Sequence, residues 1–411
     1  MAQVHVSPKS ILPTQRHNER LRSFVSNGQR GYRGASIPAR PMATPPVLTL
    51  PPATTNVGFQ VTRQLSSGVT PNLSESTAPL VSVVGDFNGD GKPDVASIVQ
   101  DLDSNFWLSI VLSNGDGTFQ TPVLTAVSFN ATDLVASADL NGDGKADVLL
   151  VHANSVDVLL GDGSGNFAAP VNYADSISSP AAVGLAVLHG DTHLDIVVAS
   201  ATVDGSSSSP VATLKGTGSG TFLTATAGQH YPGAINSGIL VDVNGDGYLD
   251  LMSASQFFLG SSGDFAGPVA LSSGDACRSL TSSVAVADVN ADTKLDIISA
   301  DCSNGTITVF LGNGDGTFGV GTSFSAGHRP GAVVLADMNG DGKVDAVVTD
   351  FFSMDEMILF GNGDDTFAAP ALGYPVAGNV WTGPAVADFN GDGCPDVIIP
   401  SSIPGEWSNL V

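Results

Sequence analysis

Basic side chains are scarce in this chain. Fifteen lysines and arginines face 40 aspartates and glutamates in 411 residues, a formal net charge of -25. That balance excludes nucleic acid as a partner, because phosphate binding needs a basic stripe. Long apolar runs are missing as well. No run approaches the roughly 18 apolar residues of a membrane-crossing helix, and no apolar stretch of about 7 to 15 residues follows Met1, so a standard secretory signal is not visible. Cysteine is limited to Cys277, Cys302 and Cys394, too few for a scaffold built on disulfides. There is no His-Glu-x-x-His, no Gly-x-Ser-x-Gly and no phosphate-binding loop, and His5, His17 and His152 stand beside no candidate nucleophile. The chain reads as a non-enzyme.

Charged residues make up only 13% of the chain, yet its acids are concentrated rather than spread. Seven times, at intervals of 46 to 55 residues, an apolar run ends in Asp-x-Asn-x-Asp-Gly-x-x-Asp or a remnant of it, and apolar residues follow. The clear copies start at Asp86, Asp139, Asp242, Asp337 and Asp388; a weaker one starts at Asp288, and an eroded one occupies 187–195. Self-similarity near 50 residues marks stacked supersecondary units, none able to bury its apolar face alone.

Residues 283–324 show how one unit is built. Val284 and Val286, separated by alanines, suit an innermost strand crowded around an axis. The loop 288–296 follows, then a second strand at 295–299 and a third at 306–311. The tight turn 312–316 leads to Phe318 and a fourth strand. Four antiparallel strands in about 50 residues are one propeller blade. The turn recurs and is followed by Phe119, Phe167, Phe222, Phe265 and Phe367, read as wedges packed between blades rather than ligand contacts. The expected fold is an all-β, seven-bladed propeller over 56–411. Residues 58–65 supply the fourth strand that the C-terminal blade lacks, so the ring closes with no open edge.

The loops place Asp86, Asn88, Asp90, Lys92 and Asp94 at positions 1, 3, 5, 7 and 9. The equivalent sets are Asp139, Asn141, Asp143, Lys145, Asp147; Asp242, Asn244, Asp246, Tyr248, Asp250; Asp288, Asn290, Asp292, Lys294, Asp296; Asp337, Asn339, Asp341, Lys343, Asp345; and Asp388, Asn390, Asp392, Cys394, Asp396. Side-chain oxygens at 1, 3, 5 and 9 with a carbonyl at 7 suit Ca2+, which takes six to eight oxygen ligands, better than zinc. Magnesium is the second option. Glycine at position 6 permits the positive φ such a loop needs. Five strong sites and one weak site are expected, the weak one because Thr293 replaces that glycine. In the third loop Val187 and His189 replace the first two ligands, so that site is expected to be empty. Six divalent ions would neutralise 12 of the 25 net negative charges and at millimolar calcium contribute about 2 to 8 kcal/mol.

Residues 86–94, their copies and the Gly-Asn-Gly-Asp-Gly-Thr-Phe turns resemble the FG-GAP or VCBS repeat family, best known from the integrin α-subunit propeller. The resemblance covers 56–411. It implies calcium in the hairpin between the first and second strands of the blades, an extracellular or cell-surface setting, and partners bound on the opposite face. Candidates on that face are Asp101, Asp103, Phe106, Tyr173, His230, Tyr231, His328, Arg329, Phe351, Phe352, Tyr374 and Trp381. Tyr173, Tyr231 and Tyr374 fall in corresponding loops and, with Trp381, are the expected contacts to a protein or glycan ligand. The leading expectation is a monomeric, non-catalytic binding or adhesion module; a lectin is the alternative, and a propeller lyase or hydrolase the third.

Residues 1–55 differ in kind, with a local charge of +6 and many prolines, and read as a disordered basic leader. Cys277 and Cys302 flank the loop at Asp288 and are expected to form a disulfide.

Overall fold

Stretches of alternating or continuous apolar residues become strands here, and every regular element among the described residues is a β-strand. The computed structural model describes residues 22–25, 29–33, 61–66, 81–400 and 406–410, apart from 102, 104, 129–133, 189–190, 202–208, 232–237, 254–255, 262–264, 272–283, 351–354, 370–372 and 376–382.

Within the leader, β1 (Arg22–Val25) pairs antiparallel with β2 (Gln29–Arg33), with Arg22 opposite Arg33. Asn27-Gly28 lies between them in sequence, a dipeptide favoured in two-residue hairpin turns. The rest of 1–55, expected to be disordered, lies outside the described residues. β3 is Val61–Ser66.

Six antiparallel four-stranded blades follow. Blade one is β4 (Val81–Gly85), β5 (Asp94–Gln100), β6 (Phe106–Val111) and β7 (Val123–Val127); blade two is β8 (Leu134–Ala138), β9 (Asp147–His152), β10 (Ser155–Leu159) and β11 (Val171–Ala174). Blade three comprises β12 (Pro180–Ala186), β13 (Asp195–Ser200), β14 (Ser209–Leu214) and β15 (Thr226–Tyr231). β16 (Ile239–Val241), β17 (Asp250–Met252), β18 (Gln256–Leu259) and β19 (Ala266–Ala270) form blade four. Blade five holds β20 (Val284–Ala287), β21 (Asp296–Asp301), β22 (Thr306–Phe310) and β23 (Thr322–Ser325), and blade six β24 (Pro330–Ala336), β25 (Asp345–Asp350), β26 (Asp355–Leu359) and β27 (Tyr374–Pro375).

The reading from sequence expected seven blades; six are complete within four consecutive strands. The chain ends with β28 (Ala385–Ala387), β29 (Asp396–Pro400) and β30 (Glu406–Leu410), and the fourth strand of that sheet is β3, paired antiparallel to β30. The last sheet is therefore a composite of the two ends of the folded region.

Burial explains the strand order. β8, β9, β12 and β13 are buried along their whole length, while β11, β19 and β23 are mostly exposed. Apolar clusters fill the space between sheets: Ala96, Ile98 and Leu108 of blade one meet Val135, Val148 and Leu150 of blade two, and Leu149 and Val151 on the other face of β9 meet Val183 and Val198 of blade three. The composite sheet packs the same way on both sides, through Val397 and Ile399 against Val347 of blade six and through Ala385 and Ile398 against Val95 of blade one. Alternation along each strand thus supplies both faces with core.

Candidate metal-binding loops and the opposite face

Each recognisable Asp-rich loop joins the first and second strands of its sheet. The position-6 glycines take the expected left-handed conformation, with φ of 84° at Gly91, 87° at Gly144, 90° at Gly247, 83° at Gly342 and 91° at Gly393. In the Asp288 loop the same turn is kept by Ala291 at 61° and Thr293 at 71°, where a side chain makes that backbone costly. Thr293 thus adopts the positive φ that the position-6 glycines adopt elsewhere, at a steric cost they do not carry.

Backbone amides wrap the first aspartate. Gly89 N–H donates to Asp86 Oδ1 at 2.7 Å and Gly91 N–H to Oδ2 at 2.8 Å, while Asp90 N–H donates to Asn88 Oδ1 at 2.8 Å. The loops at Asp139, Asp242 and Asp388 repeat the pattern. Four position-7 lysines fold back onto the position-5 acid: Lys92 on Asp90 at 3.5 Å, Lys145 on Asp143 at 3.8 Å, Lys294 on Asp292 at 3.1 Å and Lys343 on Asp341 at 3.2 Å.

The ninth residue has a role the sequence reading missed. Asp94 accepts Phe87 N–H on one oxygen at 2.9 Å and Ser113 N–H, from the outer turn of the same blade, on the other at 2.8 Å. Asp147 does the same with Leu140 and Gly161, Asp250 with Val243 and Gly260, Asp296 with Val289 and Gly312, and Asp345 with Met338 and Gly361. This buried bracket ties the loop to the turn. Its one visible signal in the sequence was that Asp195 survives in the eroded third loop.

Burial is the main cause that pushes these carboxyls up, partly offset by the amide bonds, with the acids at positions 1 and 5 adding repulsion. Asp94, Asp147 and Asp345 rise to about 6, and Asp250 and Asp396 to about 7. Asp296 is raised for the same reasons. Like charges crowded on one turn repel one another, and that repulsion adds to burial in favouring the neutral form of the ninth residue.

Every side-chain donor in this set is an oxygen, which fits Ca2+ in kind. The arrangement is that of loops closed on their own amides: among the described residues, no three His, Cys, Asp or Glu side chains are placed to hold a metal ion as they stand. In the third loop Asp195 keeps its bracket to Leu188 and Gly216. There Asp191 is paired with Lys215 at 3.3 Å, and its carboxyl is held below the usual range by the His193 amide and then by Lys215. His189 lies outside the described residues.

The tyrosines depart from expectation. Tyr173 lies in β11, Tyr231 in β15 and Tyr374 in β27, in outer strands rather than loops. Tyr173 and Tyr374 pack against inter-sheet clusters, and Tyr173 meets Phe222 of blade three edge-on at 5.5 Å between ring centroids. Tyr173 and Tyr374 each pair with the second residue of the third strand, Val156 and Glu356, but Tyr231 pairs with the first, Ser209. The three are not one repeated site. Trp381, Phe351 and Phe352 lie outside the described residues. Asp101 is engaged locally, accepting from Asn105 N–H and Trp107 Nε1.

The phenylalanine wedges are as expected. Phe167 meets Phe87 at 6.0 Å, Phe119 meets Phe389 at 5.5 Å, Phe318 meets Phe257 at 5.0 Å and Phe367 meets Phe324 at 5.7 Å, each across neighbouring sheets. Hydrogen bonds cross there too: Gly165 N–H donates to Phe87 O at 3.2 Å and Gly117 N–H to Phe389 O at 3.1 Å. Of the cysteines, Cys302 is disulfide-bonded and Cys394 is free, while Cys277 lies outside the described residues.

A family model described as an FG-GAP-like repeat matches residues 86–150, 139–198, 188–253 and 288–348. No curated protein sequence matches the chain. Among solved structures, a lectin of Agrocybe aegerita that recognises non-reducing terminal N-acetylglucosamine aligns with a TM-score of 0.52 and 19% identity, over 78% of this chain and 84% of its own. The Vibrio cholerae biofilm matrix protein Bap1 aligns at 0.37 and 13%, over 82% of this chain and 80% of its own. The Tc holotoxin pore of Photorhabdus luminescens aligns at 0.38 and 15%, over 84% of this chain and 20% of its own. At such identities the lectin likeness is one of fold.

Proposed function

Because the chain belongs to the FG-GAP-like repeat family, we propose that it is a calcium-stabilised, non-catalytic binding module that recognises a protein or glycan through one face of its propeller. One observation carries this reading: the same hairpin, in six sheets, crowds three carboxylates onto an oxygen-lined turn whose buried member is pushed up in pKa. Calcium would supply the positive charge these turns lack. Asp86, Asn88, Asp90 and Asp94, the Lys92 carbonyl and their equivalents would hold it, their oxygens drawing together from the amide-held arrangement. The composite sheet is counted as the seventh blade, since it packs against blade six and blade one alike. A setting outside the cell, where calcium is millimolar, and a monomeric state complete the proposal.

The test is calorimetric. Calcium titrated into chelator-stripped protein is expected to bind at five strong sites and one weaker site, with dissociation constants of about 10⁻⁴ to 10⁻³ M, and to raise the melting temperature. A flat titration and a melt indifferent to EDTA would remove calcium from the account.

A lectin is the second reading, favoured by the fold likeness to the Agrocybe aegerita protein. A glycan array that includes terminal N-acetylglucosamine, run with calcium and with EDTA, separates the two. Sugar binding lost on chelation supports the lectin; a silent array leaves a protein ligand.

A further inference from the structure

The six recognisable Asp-rich loops share their acids and differ at position 7. Loops 86–94, 139–147, 288–296 and 337–345 carry Lys92, Lys145, Lys294 and Lys343 there, whereas loops 242–250 and 388–396 carry Tyr248 and Cys394. The first four therefore hold a net charge of -2 and the last two -3. Each ammonium stands 3.1 to 3.8 Å from the position-5 acid, with both side chains partly open to water. Each stem also lies over a glycine in the outer turn of its own blade, Lys92 over Gly115, Lys145 over Gly163, Lys294 over Gly314 and Lys343 over Gly363. On that turn Lys92 Nζ donates to Asn114 O at 2.8 Å. The outer-turn carboxyls of Asp116, Asp315 and Asp364 are held below the usual range, chiefly by a threonine hydroxyl and also by Lys92, Lys294 and Lys343 in turn. The ammonium thus has a second seat beside the loop acid.

We propose that the position-7 lysine weakens the hold of its loop on a divalent ion, so that the two lysine-free loops, in blade four and in the composite sheet, bind calcium more tightly than those of blades one, two and six. The proposal rests on the calcium reading of these loops. Oxygen sites for calcium are tuned by the charge they present. An ion entering 86–94 meets an acid already paired, and either shares Asp90 with the ammonium or sends the ammonium to the outer turn. Both routes yield less attraction than a loop of charge -3. The effect per loop is modest, because the pairs are screened by water. The Asp288 loop carries Thr293 as well as Lys294 and stands apart from the comparison. As calcium rises, blade four and the composite sheet fill first, so the sheet that joins the two ends of the folded region is among the first to be braced.

Hydrogen-exchange mass spectrometry on the full chain, run as calcium is titrated into chelator-stripped protein, gives each loop its own midpoint. Peptides across 242–250 and 388–396 are expected to reach half of their change at about two- to five-fold less calcium than those across 86–94, 139–147 and 337–345. K92M keeps a stem over Gly115 and removes the charge. It is expected to bring the midpoint of 86–94 down by about the same factor while 139–147 stays where it was, and Y248K to push that of 242–250 up. One midpoint shared by all five loops, or a K92M protein whose 86–94 midpoint matches wild type, overturns the proposal and leaves calcium in place. If no loop responds to calcium, the calcium reading falls and this proposal with it. Should K92M misfold, K145M read at 139–147 makes the same comparison.

Discussion

Asp195 shows best what a single side chain contributes. It is fully buried and accepts two backbone amides, in a loop that has lost the aspartate of position 1 and the asparagine of position 3. Replacing it strands two buried N–H donors, each costing about 1 to 3 kcal/mol. Asp195→Ala is therefore expected to lose about 2 to 6 kcal/mol of stability in EDTA, measured by denaturant unfolding; a variant as stable as wild type would show the bracket to be idle. The equivalent carboxyls give the protein a pH signature. Asp94, Asp147 and Asp345 at about 6 and Asp250 and Asp396 at about 7 lie above the ordinary carboxyl value of 3.8. A raised folded-state pKa favours the folded state when the group is protonated, and this contribution fades as pH rises through 6 to 7. Metal-free protein is expected to melt higher at pH 5 than at pH 7.5, with calcium reversing the order, as scanning calorimetry would record. The loop positions were legible because Asp, Asn and Gly recur at fixed spacing. The bracket was not: Asp94 and Ser113 are 19 residues apart, and only the folded hairpins bring them together.

At the scale of elements, innermost and second strands were readable and outermost strands were not. β9 and β13 are continuous apolar runs buried on both faces, whereas β11 and β23 face solvent over most of their length and carry no alternation to mark their ends. That is why sequence alone puts Tyr173 in a loop. Its ring instead meets Phe222 and joins the cluster between blades two and three, so its contribution is to packing. Tyr173→Ala is expected to lower stability by about 2 kcal/mol, and Tyr173→Phe to leave it nearly unchanged. Thermal melts of the pair test this; a stable alanine variant that had lost ligand binding would return Tyr173 to the recognition surface.

For the whole molecule, the decisive element is β3. Its pairing with β30 completes the composite sheet with a strand taken from far ahead in sequence, Val61 opposite Leu410 and Ser66 opposite Glu406. Deleting 56–66 is expected to lower the melting temperature of all blades together rather than of one, because the composite sheet supports both blade six and blade one. A truncation that melts like the intact chain would mean that closure lies elsewhere. The same pairing has a mechanical side. Val61 and Leu410 sit across from each other at one end of the strand pair, so tension applied through the chain ahead of β3 and behind β30 parts their hydrogen bonds one at a time, like a zip. Pulled apart at Val61 and Leu410 themselves, the pair is expected to part at low force, since each hydrogen bond bears the load in turn.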